Sequence, residues 1–187
     1  MDFWYALIGV VAFVAFFPYI RCFFKRLICL KKIKKECQRN GFHLHATHLL
    51  WFLGRKRSKK CDLYIETASE VFAVKLFGTP RRSISLVLKE NGDYFIRSFI
   101  IFIYYGTGLR YQIDHKPKPV PVYDFQCQYK ERWKSKTLRQ ILLLHPVSME
   151  VCHQPQHGGE KILCAGDRVG NMEIASLPYL LNALKSS

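Results

Sequence analysis

Residues 61–77 read CDLYIETASEVFAVKLF, and the rest of the chain can be placed around them. Residues 61–67 and 70–77 are two short runs rich in apolar, β-favouring side chains, separated by Ala68 and Ser69; this pattern predicts a hairpin. Side chains alternate along a strand, so Phe72, Val74 and Leu76 share one face of the second run, and Val71, Ala73, Lys75 and Phe77 share the other. Upstream, residues 42–52 predict a strand, straight or bent, followed by the basic loop Arg55-Lys56-Arg57-Ser58-Lys59-Lys60. Downstream, residues 83–89 and 93–105 predict two more strands joined through Asn91-Gly92, the strongest short hairpin signal.

Beyond the second hairpin, residues 115–122 carry proline at 117, 119 and 121 and read as an extended connector or protected edge. Residues 130–139 are polar and compatible with a helix. Residues 140–145 (QILLLH) predict a buried strand stopped by Pro146. Short strands follow at 161–164 and 171–175. Ser176 is placed to cap a last helix over 177–185, with Pro178 in its first turn. The fold class expected is α+β (mixed α/β): one β-rich domain over residues 41–187 with flanking helices.

The N-terminal segment has a different composition. Residues 3–20 (FWYALIGVVAFVAFFPYI) carry no charge, whereas residues 21–35 carry seven Lys/Arg and no acid. An apolar run of about 17–25 residues is long enough to span hydrocarbon as a helix. Trp4, Tyr5 and Tyr19 sit near its ends, as interfacial aromatics do. The expectation is a transmembrane helix over residues 1–24 in a single-pass protein. The Lys/Arg bias after it places the N-terminus outside and the domain in the cytosol. Residues 21–40 read as a helix continuing from that span, with Phe24, Leu27, Ile28, Ile33 and Cys37 at helical spacing and a stop at Asn40-Gly41; residues 25–40 are its basic juxtamembrane part.

The net charge of +15 is concentrated in that neck. Residues 21–60 hold thirteen Lys/Arg and one acid, Glu36, whereas residues 61–187 hold sixteen Lys/Arg and twelve acids. Basic stretches of this kind attract anionic lipid headgroups at about 1 kcal/mol per Lys/Arg near the surface. Arg21, Lys25, Arg26, Lys31, Lys32, Lys34, Lys35, Arg55, Lys56 and Arg57 are the candidate lipid- or phosphate-binding residues. Nucleic acid is the other polyanion such a charge would attract.

Seven cysteines are scattered without a CxxC pair, which supports neither a zinc ribbon nor a thioredoxin-type motif. Cys152, His153, His157 and Cys164, and separately His43, His45 and His48, are residue types that ligate metal but match no standard spacing. Walker A, G-x-S-x-G and dinucleotide-binding glycine patterns are absent.

A helix followed by a hairpin, with Asp62 on the first strand and Lys75 on the second, resembles the restriction-endonuclease-like nuclease superfamily over roughly residues 25–78. The superfamily's pattern is an Asp, a spacer, then Glu/Asp-x-Lys on a neighbouring strand. The resemblance implies Asp62 as a metal-binding carboxylate, Lys75 as the group that orients the attacking water, and Mg²⁺ as cofactor. Here Ala73 stands where the pattern requires an acid, and Glu66 or Glu70 would have to supply the second carboxylate. The function expected is a membrane-tethered, non-catalytic binding or scaffolding module on the lipid bilayer. The alternative is a metal-dependent nuclease or nucleic-acid-binding domain.

Overall fold

The computed structural model describes residues 2–46, 61–77, 84–90, 93–104, 107–114, 116, 118–119, 133–145 and 149–186. The chain opens with helix α1 (Asp2–Arg39), about 57 Å long at 1.5 Å per residue. It stops where expected: Gly41 adopts φ 69°, and the Phe42 N–H closes the end by donating to the Cys37 carbonyl at 2.8 Å.

Twelve strands and a second helix follow among the described residues. The first sheet contains β1 (His43–Ala46), β2 (Leu63–Glu66), β3 (Glu70–Phe77), β8 (Thr137–Leu144), β12 (Met172–Ser176) and β11 (Arg168–Val169), in that spatial order. β1, β2 and β3 form an antiparallel meander, with Leu63 opposite Val74 and Glu66 opposite Val71. β3 and β8 pair in parallel from Glu70↔Thr137 to Phe77↔Leu144, and β12 adds in parallel beyond β8.

The second sheet comprises β4 (Ile84–Lys89), β5 (Asp93–Tyr104), β6 (Thr107–Asp114), β9 (Met149–Gln154) and β10 (Lys161–Ile162), in the order β10-β9-β4-β5-β6. β7 (Lys118–Pro119) pairs with the start of β5. The Asn91-Gly92 turn lies outside the described residues, but the strands it joins pair as expected, Leu88 opposite Tyr94. Helix α2 (Leu177–Lys185) closes the chain; Ser176 caps it, its hydroxyl accepting from the Tyr179 N–H at 3.4 Å.

The alternation read from residues 70–77 divides the core in two. Phe72, Val74 and Leu76 join Leu63, Ile65, Ile141 and Leu143 on the face covered by α1 and α2, where Cys29, Ile33, Leu180 and Leu184 meet them. Val71, Ala73 and Phe77 join Tyr64, Leu142, Leu144 and Ile174 on the other face, against Leu86, Leu88, Tyr94 and Val151 of the second sheet. Phe77 and Tyr94 meet edge to face there, with centroids 5.4 Å apart.

The structure corrects three expectations. Among the described residues no helix is long and apolar enough to cross a membrane. This overturns the transmembrane helix over residues 1–24, the single-pass description and the N-out, C-cytosolic location. The apolar run is not a helix of its own. It passes without a break into the basic segment, and the shared helix spends its last turns covering the first sheet. Second, the buried stripe of α1 is Cys22, Arg26, Cys29, Ile33 and Cys37, while Phe24 and Ile28 are 56% and 54% exposed. Small cysteines let the helix approach the sheet closely, which bulky Phe24 would prevent. Third, residues 137–139 belong to strand β8, preceded by a short turn at Trp133.

Candidate functional site

Asp62 precedes β2 and is tied to β3 at three points. Its N–H donates to the Val74 carbonyl at 3.0 Å, its Oδ2 accepts the Leu76 N–H at 2.8 Å, and its Oδ1 lies 3.3 Å from Lys75 Nζ. The hairpin thus brings together the two residues the resemblance singles out. Both are deep in the protein, with Asp62 8% and Lys75 4% exposed. Burial pushes the Asp62 carboxyl above its ordinary range, opposed by Lys75, the Leu76 N–H and, from α1, Arg26.

The other two acids do not join them. Glu66 lies four residues along β2, roughly 13 Å away at the strand rise. There it binds Lys136 at 3.1 Å and His45 at 3.5 Å. That contact belongs to a polar lock at the far end of the hairpin, where Lys136 Nζ also donates to the Thr67 carbonyl and Trp133 stacks near Tyr64 and His45. Glu70 falls on the helix-covered face and meets Arg139 at 3.5 Å. Arg139 in turn lies over the Phe72 ring and holds the buried Glu173 through two contacts, 2.9 and 3.0 Å. Ala73, where an acid would be needed, is fully buried between the sheets, opposite Tyr64 and Gln140.

These residues do not fit Mg²⁺, which requires several oxygen ligands with room for water. Both Asp62 oxygens are engaged, the adjacent position is an alanine methyl, and the remaining acids are paired elsewhere. Among the described residues no group of three His, Cys, Asp or Glu could hold a metal ion. Cys152 and His153 sit in β9, paired with Ile162 and Lys161. His48 lies outside the described residues.

The basic neck is a helical surface. Arg21, Lys25, Lys31, Lys32, Lys34 and Lys35 are exposed on α1, whose opposite stripe is fixed to the sheet. Arg26 differs: it is 7% exposed and turns inward, close enough to Asp62 to act on it electrostatically. Arg55, Lys56 and Arg57 lie outside the described residues. The first half of α1 is apolar and exposed, from Trp4 and Tyr5 through Phe13, Phe16 and Phe17 to Ile20. Exposed apolar surface on this scale marks an interaction element.

The sequence reading missed one residue. His145, directly after β8, is half-buried against α1, its Nε2 3.0 Å from the Lys25 carbonyl oxygen. Burial lowers its imidazole below the ordinary range, and Lys25, Arg26 and Lys32 add to the depression. A lone histidine at the end of an apolar strand gives no sign of this, because the Lys25, Arg26 and Lys32 charges that act on it come from a helix more than a hundred residues away in sequence. Comparison with protein-family models, with curated proteins and with solved structures returned no match.

Proposed function

We propose that the protein is a non-catalytic interaction module that binds anionic lipid headgroups through the basic half of α1. The observation that carries this reading is the exposed set Arg21, Lys25, Lys31, Lys32, Lys34 and Lys35 on a helix packed against the domain through Cys29, Ile33 and Cys37. Charge held on a rigid helix loses little side-chain and backbone freedom on docking, unlike charge on a loose tail. The exposed apolar first half of the same helix supports an interaction role, because surface of that kind is costly to leave in water.

The test is cosedimentation of the full chain with vesicles of phosphatidylcholine alone or mixed with phosphatidylserine. The quadruple variant Lys31→Glu, Lys32→Glu, Lys34→Glu, Lys35→Glu provides the comparison. At about 1 kcal/mol per basic residue, reversing four charges weakens binding to the anionic vesicles by at least about a hundredfold. Equal binding of both proteins to both vesicles would sink the proposal.

A second reading has one observation in its favour. The Asp62–Lys75 contact on adjacent strands behind a helix is the arrangement that the resemblance to restriction-endonuclease-like nucleases implies. Ala73 and the sealed environment argue against cleavage. DNA incubated with the chain in Mg²⁺ or Mn²⁺ stays intact under our proposal; cleavage abolished by Asp62→Asn would replace it.

A further inference from the structure

The two halves of α1 have different surroundings. Among its described side chains Cys22 is the first that is buried, and from Cys29 onward the helix covers the first sheet. Before Cys22, twelve large apolar side chains, from Trp4 to Ile20, are 42–70% exposed. Residues 3–20 carry no charge, so a partner lying along them strips water from no ion. Leu7, Val10, Val14 and Phe17 recur at alternating spacings of three and four residues, and all four are exposed. That is the a/d spacing of a two-helix seam, in which each side chain inserts between those of a facing helix. The next position of the repeat is Arg21, where the uncharged run ends.

We propose that residues 3–21 are the interface with a second copy of this chain, the two α1 helices pairing antiparallel through Leu7, Val10, Val14 and Phe17. In that direction Leu7 lies opposite Phe17 of the second copy, and Val10 lies opposite Val14. Charge decides the direction. A parallel pair sets residues 21–35, with seven Lys/Arg and no acid, beside the same residues of the second copy, and like charges so placed repel. The antiparallel pair carries the two basic segments to opposite ends. Its overlap is about 28 Å long at 1.5 Å per residue. It stops where Cys22 begins the buried stripe, so the seam uses only helix that the domain leaves exposed. Taking about 200 Å² for an aromatic side chain and somewhat less for an aliphatic one, covering half of what the twelve expose removes roughly 600 Å² per chain from water. The pair then buries about 1,200 Å², which reaches the range of specific, stable interfaces.

The experiment measures the mass of the full chain by sedimentation velocity, across micromolar concentrations in lipid-free buffer. The expected result is a concentration-dependent dimer. Val10→Glu, at a position 60% exposed and outside the core, sets a carboxylate against Val14 of the second copy at both ends of the pair's centre. It raises the dissociation constant at least about a hundredfold, because a charge without a partner is costly to bury. Combining Val10→Glu with Val14→Lys restores the dimer. Each carboxylate then faces an ammonium in the antiparallel pair, whereas a parallel pair would set like charges together. Circular dichroism of both variants checks that the fold is retained. A monomer at every concentration overturns the proposal, and so does a monomer that cosediments with neutral phosphatidylcholine vesicles, since lipid then covers the run. Association that Val10→Glu leaves unchanged, whether to a dimer or to larger aggregates, also overturns it, as does a double variant that stays dissociated.

Discussion

Replacing Lys75 by methionine tests whether the buried pair behaves as its geometry requires. The substitution keeps an unbranched side chain of similar length and removes the ammonium. Asp62 retains the Leu76 N–H at 2.8 Å but loses its partner at 3.3 Å, in surroundings that leave it 8% exposed. Breaking a buried pair from one side costs about 3–5 kcal/mol, because the remaining charge is stranded away from water.

The cost depends on pH. Burial already holds the Asp62 carboxyl above its ordinary value, and losing Lys75 raises it further. Between the ordinary and the raised value, the folded chain keeps a proton that the unfolded chain has released. The stability from this group is therefore fully present below the ordinary value and is lost as pH rises through the raised one. Urea unfolding of Lys75→Met at about pH 4.5 and about pH 7.5 should show the larger deficit at the higher pH. The double variant Asp62→Asn, Lys75→Met removes both charges and keeps an acceptor for the Leu76 N–H, so it should recover most of the loss. A deficit below about 1 kcal/mol, equal at both pH values, is what a solvated surface pair gives and would refute the reasoning.

Two further outcomes follow from the packing. Burial pushes the Cys29 and Cys61 thiols up to about 12, and the thiolate is the reactive form. Native-state alkylation near neutral pH, mapped by mass spectrometry, should therefore label the exposed Cys164 and spare both of them; prompt labelling of Cys61 would contradict the buried hairpin. Gly166 has φ 102°, and an added Cβ would lie 3.3 Å from the Tyr179 hydroxyl oxygen. Gly166→Ala should thus cost about 1–3 kcal/mol in urea unfolding, while Gly159→Ala, with open space around it, should change little.

Local pattern made the hairpin legible. The alternation of Phe72, Val74 and Leu76 against Val71, Ala73 and Phe77 sorts these residues into the two layers the structure contains. The Asn40-Gly41 stop and the Ser176 cap were legible for the same reason, since each depends on a few adjacent residues. The pairing of β3 with β8 was not, because strands β4 to β7 lie between them in sequence and no local signal joins Glu70 to Thr137. The polarity of residues 130–139 is compatible with a helix, whereas residues 137–139 are strand. In the sheet, Arg139 is an ion-pair partner lying over Phe72, and its charge does not prevent a strand. Arg26 was grouped with its basic neighbours, although it falls at i+4 from Cys22 and three residues before Cys29. A spacing argument that counts cysteine as apolar and allows one buried cation finds the stripe the helix uses.

The same geometry explains why Asp62 and Lys75 can stand together without the chemistry their resemblance implies. The face of β3 that carries Lys75 also carries Val71, Ala73 and Phe77, and the second sheet lies across it through Leu86, Leu88, Tyr94 and Val151. An acid at position 73 would place a carboxylate between two apolar layers, where an ion is very costly without a partner. Alanine at 73 and the sheet that covers it are thus consequences of one packing choice. Restoring the acid by a single substitution would leave no water or phosphate access to it. What remains of the pattern, one aspartate clamped by a lysine and a backbone N–H, ties β2 to β3 where α1 crosses them. Among the described residues, Arg21, Lys25, Lys31, Lys32, Lys34 and Lys35 of α1 face solvent, and for that reason the proposed binding rests on the helix and not on the hairpin.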